Sequence, residues 1–312
     1  MIWKIIGNGK SFFDKCKRDK INAYSAQSAF FIILSTIPFL MVFSSLLQYT
    51  PITEGTLLKL YQTALPDYVS AFLISESVYS MWLATNVAKE AAAGQFVSLY
   101  CGEGSRLLPR PISICQIDTD RNAIRLVYRL AGKGTKEFSK LQTDEQVRIL
   151  GPLGNGFPLE GQHPIVIGGG IGVPPMLELA KQLKQDSTIV LGYRDDQLFL
   201  KEQFESYGQV EIATDDGSVG LHGTVVDVLR QKNVTGDVIY ACGPKPMLAA
   251  VKKFAEEKGI KCYISMEERM ACGIGACLGC VCQTKEVDAH SHVHNARVCK
   301  DGPVFLAEEV EL

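Results

Sequence analysis

The sequence predicts a multidomain chain: an antiparallel β-barrel, then an α/β nucleotide-binding domain, then a small C-terminal cysteine module, all behind a helical leader. Three observations carry that prediction. Short apolar segments separated by Gly, Pro and charged turns begin near Glu76, and strand–turn–helix units follow from about residue 161. Four cysteines, Cys272, Cys277, Cys280 and Cys282, crowd into eleven residues near the C-terminus. The 312 residues are 46% hydrophobic, enough for two or three domains with buried cores and too apolar for simple disorder. With 34 acidic and 32 basic residues the formal charge is −2, so the whole chain carries no electrostatic footprint for nucleic acid. Ten cysteines are too sparse for a disulfide scaffold at this length.

The leader, residues 1–74, holds an uncharged stretch from Ile21 to Thr53 whose core is AFFIILSTIPFLMVFSSLL, Ala29 to Leu47. Nineteen such residues approach the roughly 20 needed to cross a 30 Å hydrocarbon layer. Pro38 is expensive inside a soluble helix and better tolerated in a membrane one, so segment 29–47 reads as a transmembrane helix or as a buried soluble helix pair. Six basic residues precede it (Lys4, Lys10, Lys15, Lys17, Arg18, Lys20) against two acidic ones (Asp14, Asp19), which would keep the N-terminus cytoplasmic. A signal peptide is excluded by the length of the run and the lack of a small-residue cleavage site before TPITEGTLL.

Residues 75–160 read as the barrel. VYSMWLAT, GQFVSLYC, ISICQI and AIRLVYRL alternate as short antiparallel strands do. The turn Arg110-Pro111-Ile112-Ser113 places a guanidinium fork beside a hydroxyl, a pairing suited to a flavin pyrophosphate or ring edge as well as to a plain turn entering a strand. Val127-Tyr128-Arg129 leads to Gly132-x-Gly134-Thr135, where a helix start exposes N–H groups that suit phosphate; an ordinary strand–turn–helix junction reads the same way.

Residues 161–262 read as the α/β domain. The strand IVIGGG runs through Gly168, Gly169 and Gly170 into Ile171-Gly172-Val173-Pro174-Pro175 and the helical LELAKQLKQ. This departs from the standard dinucleotide fingerprint, since Val173 or Pro175 stands where the last glycine belongs. Strands STIVLGYRDD, VEIATDDGS and DVIYACGP alternate with the helical segments KEQFESYG, VVDVLRQKN and MLAAVKKFAEEKG, so ligand loops fall at the strand C-termini. Cys242-Gly243-Pro244 ends one such strand, where a nicotinamide would meet a flavin or where a small thiol simply packs.

Residues 263–312 read as the cysteine module. Cys272-x4-Cys277-x2-Cys280, followed after eighteen residues by Cys299, is the plant-type [2Fe–2S] spacing, and Gly273, Gly275 and Gly279 permit a tight loop whose amides face the sulfurs. Cys282 competes with Cys299 for the fourth place, and structural zinc is the alternative metal. His290, His292 and His294 alternate in DAHSHVHNA, as a metal site or an exposed turn would.

Two resemblances extend this reading. RDKINAYSAQSAFFIILSTIPFLMVFSSLLQY resembles the opening of YihY/BrkB-type multispanning membrane proteins. From about Glu76 to Leu312, the run PISI, LVYRLAGKGT, GPLGNGF, GGGIGVPPM, CGPKPM, SMEERMACGIGACLGCVC and VCKDGPVF resembles the electron-transfer subunit of NAD-dependent (type B) dihydroorotate dehydrogenase. That likeness implies a ferredoxin-reductase-like FAD barrel, an NAD domain and a [2Fe–2S] module. Its flavin residues would be Arg110 to Ser113, Val127 to Arg129, Gly134 and Thr135; its cluster ligands would be Cys272, Cys277, Cys280 and Cys299. The expected NAD contacts are Gly168, Gly169, Gly170, Gly172, Cys242 and Gly243.

The resemblance also implies a flow of electrons from an FMN-containing catalytic subunit through the cluster and FAD to NAD+, in pyrimidine (UMP) biosynthesis. It implies a cytoplasmic heterotetramer of two catalytic and two electron-transfer subunits. No acid–base residue for substrate oxidation is found in this chain, as expected if that chemistry lies on the partner. One departure stands out: the barrel's opening strand is missing or replaced before residue 75. Two rivals remain, the small subunit of an NAD(P)H-dependent transhydrogenase or sulfide dehydrogenase, and a membrane-associated inactive or interaction protein from a gene fusion.

Overall fold

The computed structural model describes residues 78–102, 107–183, 187–288 and 292–312. They belong to the second of two units into which the chain divides, Ala71–Leu312. The helical leader 1–74, its expected span 29–47 and its likeness to YihY/BrkB-type proteins lie outside the described residues, as does His290. Among the described residues no helix is long and apolar enough to cross a membrane.

The first sheet is built from β1 (Val78–Ala84), β2 (Phe96–Tyr100), β3 (Arg110–Asp118), β4 (Ala123–Arg129) and β5 (Arg148–Leu153), with the short helix α1 (Lys133–Phe138) between β4 and β5. Pairing is antiparallel throughout, in the order β1-β4-β3-β2-β5. The β3–β4 hairpin forms where Asp118-Thr-Asp-Arg-Asn interrupts the apolar alternation. The Asp118 carboxylate accepts the Arg121 N–H at 2.9 Å, and Asn122 takes φ +47, a left-handed conformation that Asn tolerates. Val97, Leu99, Ile114, Ile124, Leu126 and Phe138 fill one face as a single apolar core. Among the described residues no pairing joins β1 to β5, so the expected barrel appears as a five-stranded sheet with these two strands outermost.

The second sheet follows from β6 (Pro164–Gly169), α2 (Val173–Leu183), β7 (Ser187–Tyr193), α3 (Lys201–Phe204), β8 (Gly208–Thr214), β9 (Leu221–His222), α4 (Val225–Gln231), β10 (Val238–Cys242), α5 (Lys245–Lys258) and β11 (Lys261–Ser265). After the two-stranded pair β12 (Val281–Gln283) and β13 (Asn295–Arg297), β14 (Val304–Leu306) returns to complete it. The order is β14-β11-β10-β6-β7-β8-β9, parallel except for β14. Strands buried on both faces read as continuous apolar runs, and β6 shows why: Ile165 and Ile167 pack with α4 and α5, while Val166 packs with Met176 and Leu179 of α2. Cys115 and Val127 of the first sheet join that second cluster, so α2 lies between the two sheets.

Two expectations are modified. The helix expected over KEQFESYG is a single turn: once Phe204 is buried, Tyr207-Gly208 enters β8, and Gly208 lies so close to Ser187 that a Cβ would overlap its carbonyl oxygen. The division expected at residues 262 and 263 runs through β11, and β14, from the cysteine module, pairs with it.

Candidate cofactor-binding site

β6 is flanked by β10 on one side and β7 on the other, with α2 on one face and α4 and α5 on the other, so a crevice opens where the strand order reverses. Two cavities occupy it. The larger, about 490 Å³, is lined by Gly169 and Gly170 after β6, Tyr193 to Asp195 after β7, Thr224 at the start of α4, Met247 of α5, and Arg129 from the first sheet. That volume is in the range of small-molecule sites. The smaller, about 250 Å³, is lined by Pro111 and Ser113 of β3, Phe96 of β2, Gly172, Cys242, Gly243 and Met266 to Glu268 on the approach to the cysteine loop.

The strand period splits the expected flavin residues. Pro111 and Ser113 face the smaller cavity, whereas Ile112 packs into the first sheet's core. Arg110 turns back to donate to the Leu108 carbonyl at 2.6 Å, and its stem lies against Gly134, where a Cβ would come within 2.7 Å of Nε. Arg110 and Gly134 are therefore neighbours. Thr135 is engaged locally: its Oγ1 accepts the Ala131 and Gly132 N–H groups at 2.9 and 3.2 Å and closes the start of α1. Val127 and Tyr128 are buried on opposite sides of β4. Burial, with the neighbouring Tyr79 second, raises the Tyr128 hydroxyl to about 12. Arg129 reaches the larger cavity, and its buried Nε has no hydrogen-bond partner among the described residues. A buried guanidinium N–H left unpaired fits a site meant for an anionic group such as a pyrophosphate.

The expected NAD residues also separate. Gly169 and Gly170 line the larger cavity; Gly172, Cys242 and Gly243, and again Gly169, line the smaller. Gly168 lines neither of these two, and a Cβ there would stand 2.9 Å from Val173 Cα, so it serves close helix–strand packing. At Gly172 a Cβ would fall 2.4 Å from the Cys242 carbonyl oxygen, so the ends of β6 and β10 approach backbone to backbone. Burial pushes the Cys242 thiol up to about 12, leaving it a neutral thiol at neutral pH.

The cysteines come in two contacting pairs, Cys272 with Cys277 and Cys280 with Cys299. Backbone donors converge on them: Gly275 N–H to Cys299 Sγ at 3.1 Å, Ala276 N–H to Cys272 Sγ at 3.3 Å, and Cys299 N–H to Cys280 Sγ at 3.4 Å. Desolvation works against a thiolate at Cys272, but the amides of Ile274, Ala276 and Cys277 and the Cys277 thiol outweigh it and lower that group to about 6. At Cys299 burial dominates, followed by Cys280, and the thiol rises to about 12. Among the described residues no three His, Cys, Asp or Glu side chains converge on a single ion. The two pairs lie within electrostatic reach of each other, Cys272 acting on Cys299, and four thiols with amides aimed at sulfur are a donor set that a binuclear cluster could use. Cys282 of β12 is buried in the same apolar core as Cys280 and Cys299; burial raises its thiol, against the Ala296 amide, and no other cysteine contributes to that shift. His294 Nδ1 lies 2.9 Å from the Lys285 carbonyl oxygen, and His292 N–H donates to the Asp288 carbonyl.

Sequence reasoning passed over Phe96, Tyr193, Asp195, Thr224, Met247 and Met270, all of which line these cavities. All but Met270, which lies in the loop before Cys272, share a position at or near a strand end or helix start, which pattern alone does not reveal.

An antiparallel sheet and a parallel α/β sheet that share cavities at the strand ends define the ferredoxin-reductase-like class of FAD- and NAD(P)-binding folds. A solved NADH-dependent reduced ferredoxin–NADP oxidoreductase, studied for flavin-based electron bifurcation, superposes with a TM-score of 0.68 at 28% identity, over 76% of this chain and 86% of that one. The ferredoxin reductase of carbazole 1,9a-dioxygenase shares the fold, with a TM-score of 0.50 at 20% identity over 60% and 63% of the two chains. The model of the iron–sulfur cluster binding domain of dihydroorotate dehydrogenase B matches residues 267–311. The electron transfer subunit of dihydroorotate dehydrogenase B (NAD(+)) from Geobacillus sp. (strain WCH70) is 43% identical over 249 residues, 77% of this chain and 95% of that protein. Its counterpart from Fusobacterium nucleatum is 41% identical over 253 residues, again 77% and 95%. The chain belongs to the family of electron-transfer subunits of dihydroorotate dehydrogenase B.

Proposed function

We propose that this chain carries electrons between the catalytic subunit of a dihydroorotate dehydrogenase and NAD+, within pyrimidine biosynthesis. The observation that carries the reading is the pair of cysteine contacts, Cys272 with Cys277 and Cys280 with Cys299, in a loop that continues directly from Met266, Glu267, Glu268 and Met270, which line the smaller cavity along with residues of both sheets. When bound, a [2Fe–2S] cluster moves single electrons and FAD stores two, which matches one-electron entry to hydride exchange with NAD+. Cys272, Cys277, Cys280 and Cys299 would hold the cluster, and the Gly275 and Ala276 amides would donate to its sulfurs. Arg129 would neutralise the flavin pyrophosphate, with Arg110, Gly134 and Thr135 shaping that edge. Val127 and Tyr128 would hold the strand that presents Arg129. Pro111, Ile112 and Ser113 would set the ring's side, through the face that Pro111 and Ser113 give to the smaller cavity.

Gly169, Gly170 and Gly172 would admit the dinucleotide, Gly168 would let α2 pack close beneath them, and Cys242 with Gly243 would abut the nicotinamide as a small neutral wall. Residues 75–160, 161–262 and 263–312 would then serve FAD, NAD and the cluster respectively. The partner would be an FMN-containing catalytic subunit in a heterotetramer of two plus two, in the cytoplasm, where thiols stay reduced and NAD is available. Reconstitution of the full chain with iron, sulfide and FAD, followed by spectroscopy and co-purification with the catalytic subunit, tests this. Flavin and [2Fe–2S] bands with a bound dehydrogenase are expected; a zinc-binding, flavin-free protein would overturn it.

A second reading, the small subunit of an NAD(P)H-dependent oxidoreductase of the transhydrogenase or sulfide dehydrogenase kind, is favoured by the superposition on the NADH-dependent reduced ferredoxin–NADP oxidoreductase. Preference between NADH and NADPH, and the identity of the co-purifying subunit, separate the two.

A further inference from the structure

Strand β2 alternates between two environments. Val97 and Leu99 point into the first sheet's core, while Phe96 belongs to the apolar cluster that contains Cys280, Cys299, Met266 and Val298. By the period of two, Ser98 shares the Phe96 side, opposite Pro111 on β3, whose side chain lines the smaller cavity. Ser98 is 1% exposed, and its Oγ has no hydrogen-bond partner among the described residues. A hydroxyl so placed is costly unless something accepts from it. What it abuts is the cysteine loop: a Cβ on Gly273 would stand 3.0 Å from Ser98 Oγ and 3.4 Å from Leu153 Cδ1. Gly273 follows Cys272 directly and has φ +73, so the loop takes a left-handed turn against the serine.

The hydroxyl thus lies against the residue that follows Cys272, on the strand position opposite Pro111 of the cavity wall. Hydrogen bonds to sulfur are among the levers that set an iron–sulfur potential, because they stabilise the more negative, reduced state. We propose that Ser98 Oγ donates a hydrogen bond to a cluster sulfur on the Cys272 side, so that a residue of the first sheet tunes the potential of the cluster. This rests on the cluster reading given above. Cys299 and Cys280 receive main-chain donors from within the module; Ser98 would be the donor contributed from outside it.

The test uses the reconstituted full chain and its Ser98→Ala and Ser98→Thr variants. Cluster content comes from iron and sulfide analysis, midpoint potential from an EPR-monitored titration, and exchangeable-proton couplings from ENDOR in H₂O and D₂O. The expected result is a normal cluster in Ser98→Ala with a lower midpoint potential and one exchangeable-proton coupling lost, both restored in Ser98→Thr. Cluster assembly that fails in Ser98→Ala but is complete in Ser98→Thr supports the same hydroxyl role. Unchanged potential and couplings in Ser98→Ala overturn the proposal, as does a change confined to the flavin potential. Failure of both variants to assemble a cluster assigns Ser98 to packing and overturns it as well. A wild-type chain with no [2Fe–2S] signal would instead sink the cluster reading itself, a result distinct from all of these.

Discussion

The Glu178 carboxylate on α2 accepts the main-chain N–H of Ile117 on β3 at 2.8 Å, a bond that ties the first sheet to the helix packed on the second. β3 outruns its neighbour: its pairing with β2 ends at Phe96 opposite Ser113, so the outward main-chain groups of Ile117 have no strand to meet. α2 supplies both partners, because Lys181 Nζ donates to the Ile117 carbonyl at 2.9 Å. The Gln182 amide, donating to Glu178 at 3.0 Å, completes the clamp.

Replacing Glu178 by Ala leaves a buried N–H unpaired, a loss of about 1–3 kcal/mol. Glu178→Ala is expected to melt several degrees below wild type by calorimetry. Lys181→Ala should cost less, since the Lys181 side chain is 42% exposed and its ion pair is screened. Equal melting of Glu178→Ala and wild type would show that the clamp contributes nothing.

Arg129 predicts flavin retention. A charge-assisted hydrogen bond contributes about 1.5–3 kcal/mol, so Arg129→Met should bind FAD roughly 10- to 100-fold more weakly while keeping its fold. Fluorescence titration of the flavin-stripped protein measures this. An unchanged affinity would place the pyrophosphate elsewhere.

Cys299 and Cys282 make a paired test of the fourth ligand. Cys299→Ser should lose most iron and sulfide and the [2Fe–2S] EPR signal. Cys282→Ser, which alters a buried thiol to whose raised pKa no other cysteine contributes, should keep them at modest cost in stability. The reverse pattern would move the fourth ligand to Cys282.

Asp237 supplies an acid-dependent share of stability. The Gln162 amide, first, and the His163 amide hold its carboxyl below the ordinary 3.8, against a smaller desolvation effect. A depressed folded-state pKa means the unfolded chain takes up the proton first. The contribution is therefore full above the ordinary value and is lost as pH falls through the lower, folded one. Asp237→Ala should melt below wild type near neutral pH, and the gap should close on acidification below about 4. A gap that is constant with pH would remove the charge from the account.

Much of the architecture was legible in the residues themselves. Ile165-Val-Ile-Gly-Gly-Gly announces a buried strand and a close turn, because both the apolar run and the glycines are local. The Cys272-x4-Cys277-x2-Cys280 spacing is local too, so the loop was readable before its geometry. β5 and β14 were less so: RILGPL is interrupted by Gly and Pro, and VFL is too short for a period to show. Arg110 to Ser113 read as one motif, yet the strand sends Pro111 and Ser113 to the cavity and Ile112 to the core.

By itself, the sequence determined which segments are strands buried on two faces, where glycine is needed for close approach, and which thiols have cluster spacing. Those properties depend on neighbours within a few positions. Only the tertiary structure decided that Arg129 reaches the larger cavity with an Nε unpaired among the described residues, and that Ser98 faces Gly273. Each of these joins residues far apart in the chain. Their meeting depends on how two sheets and a loop pack, which no local pattern encodes.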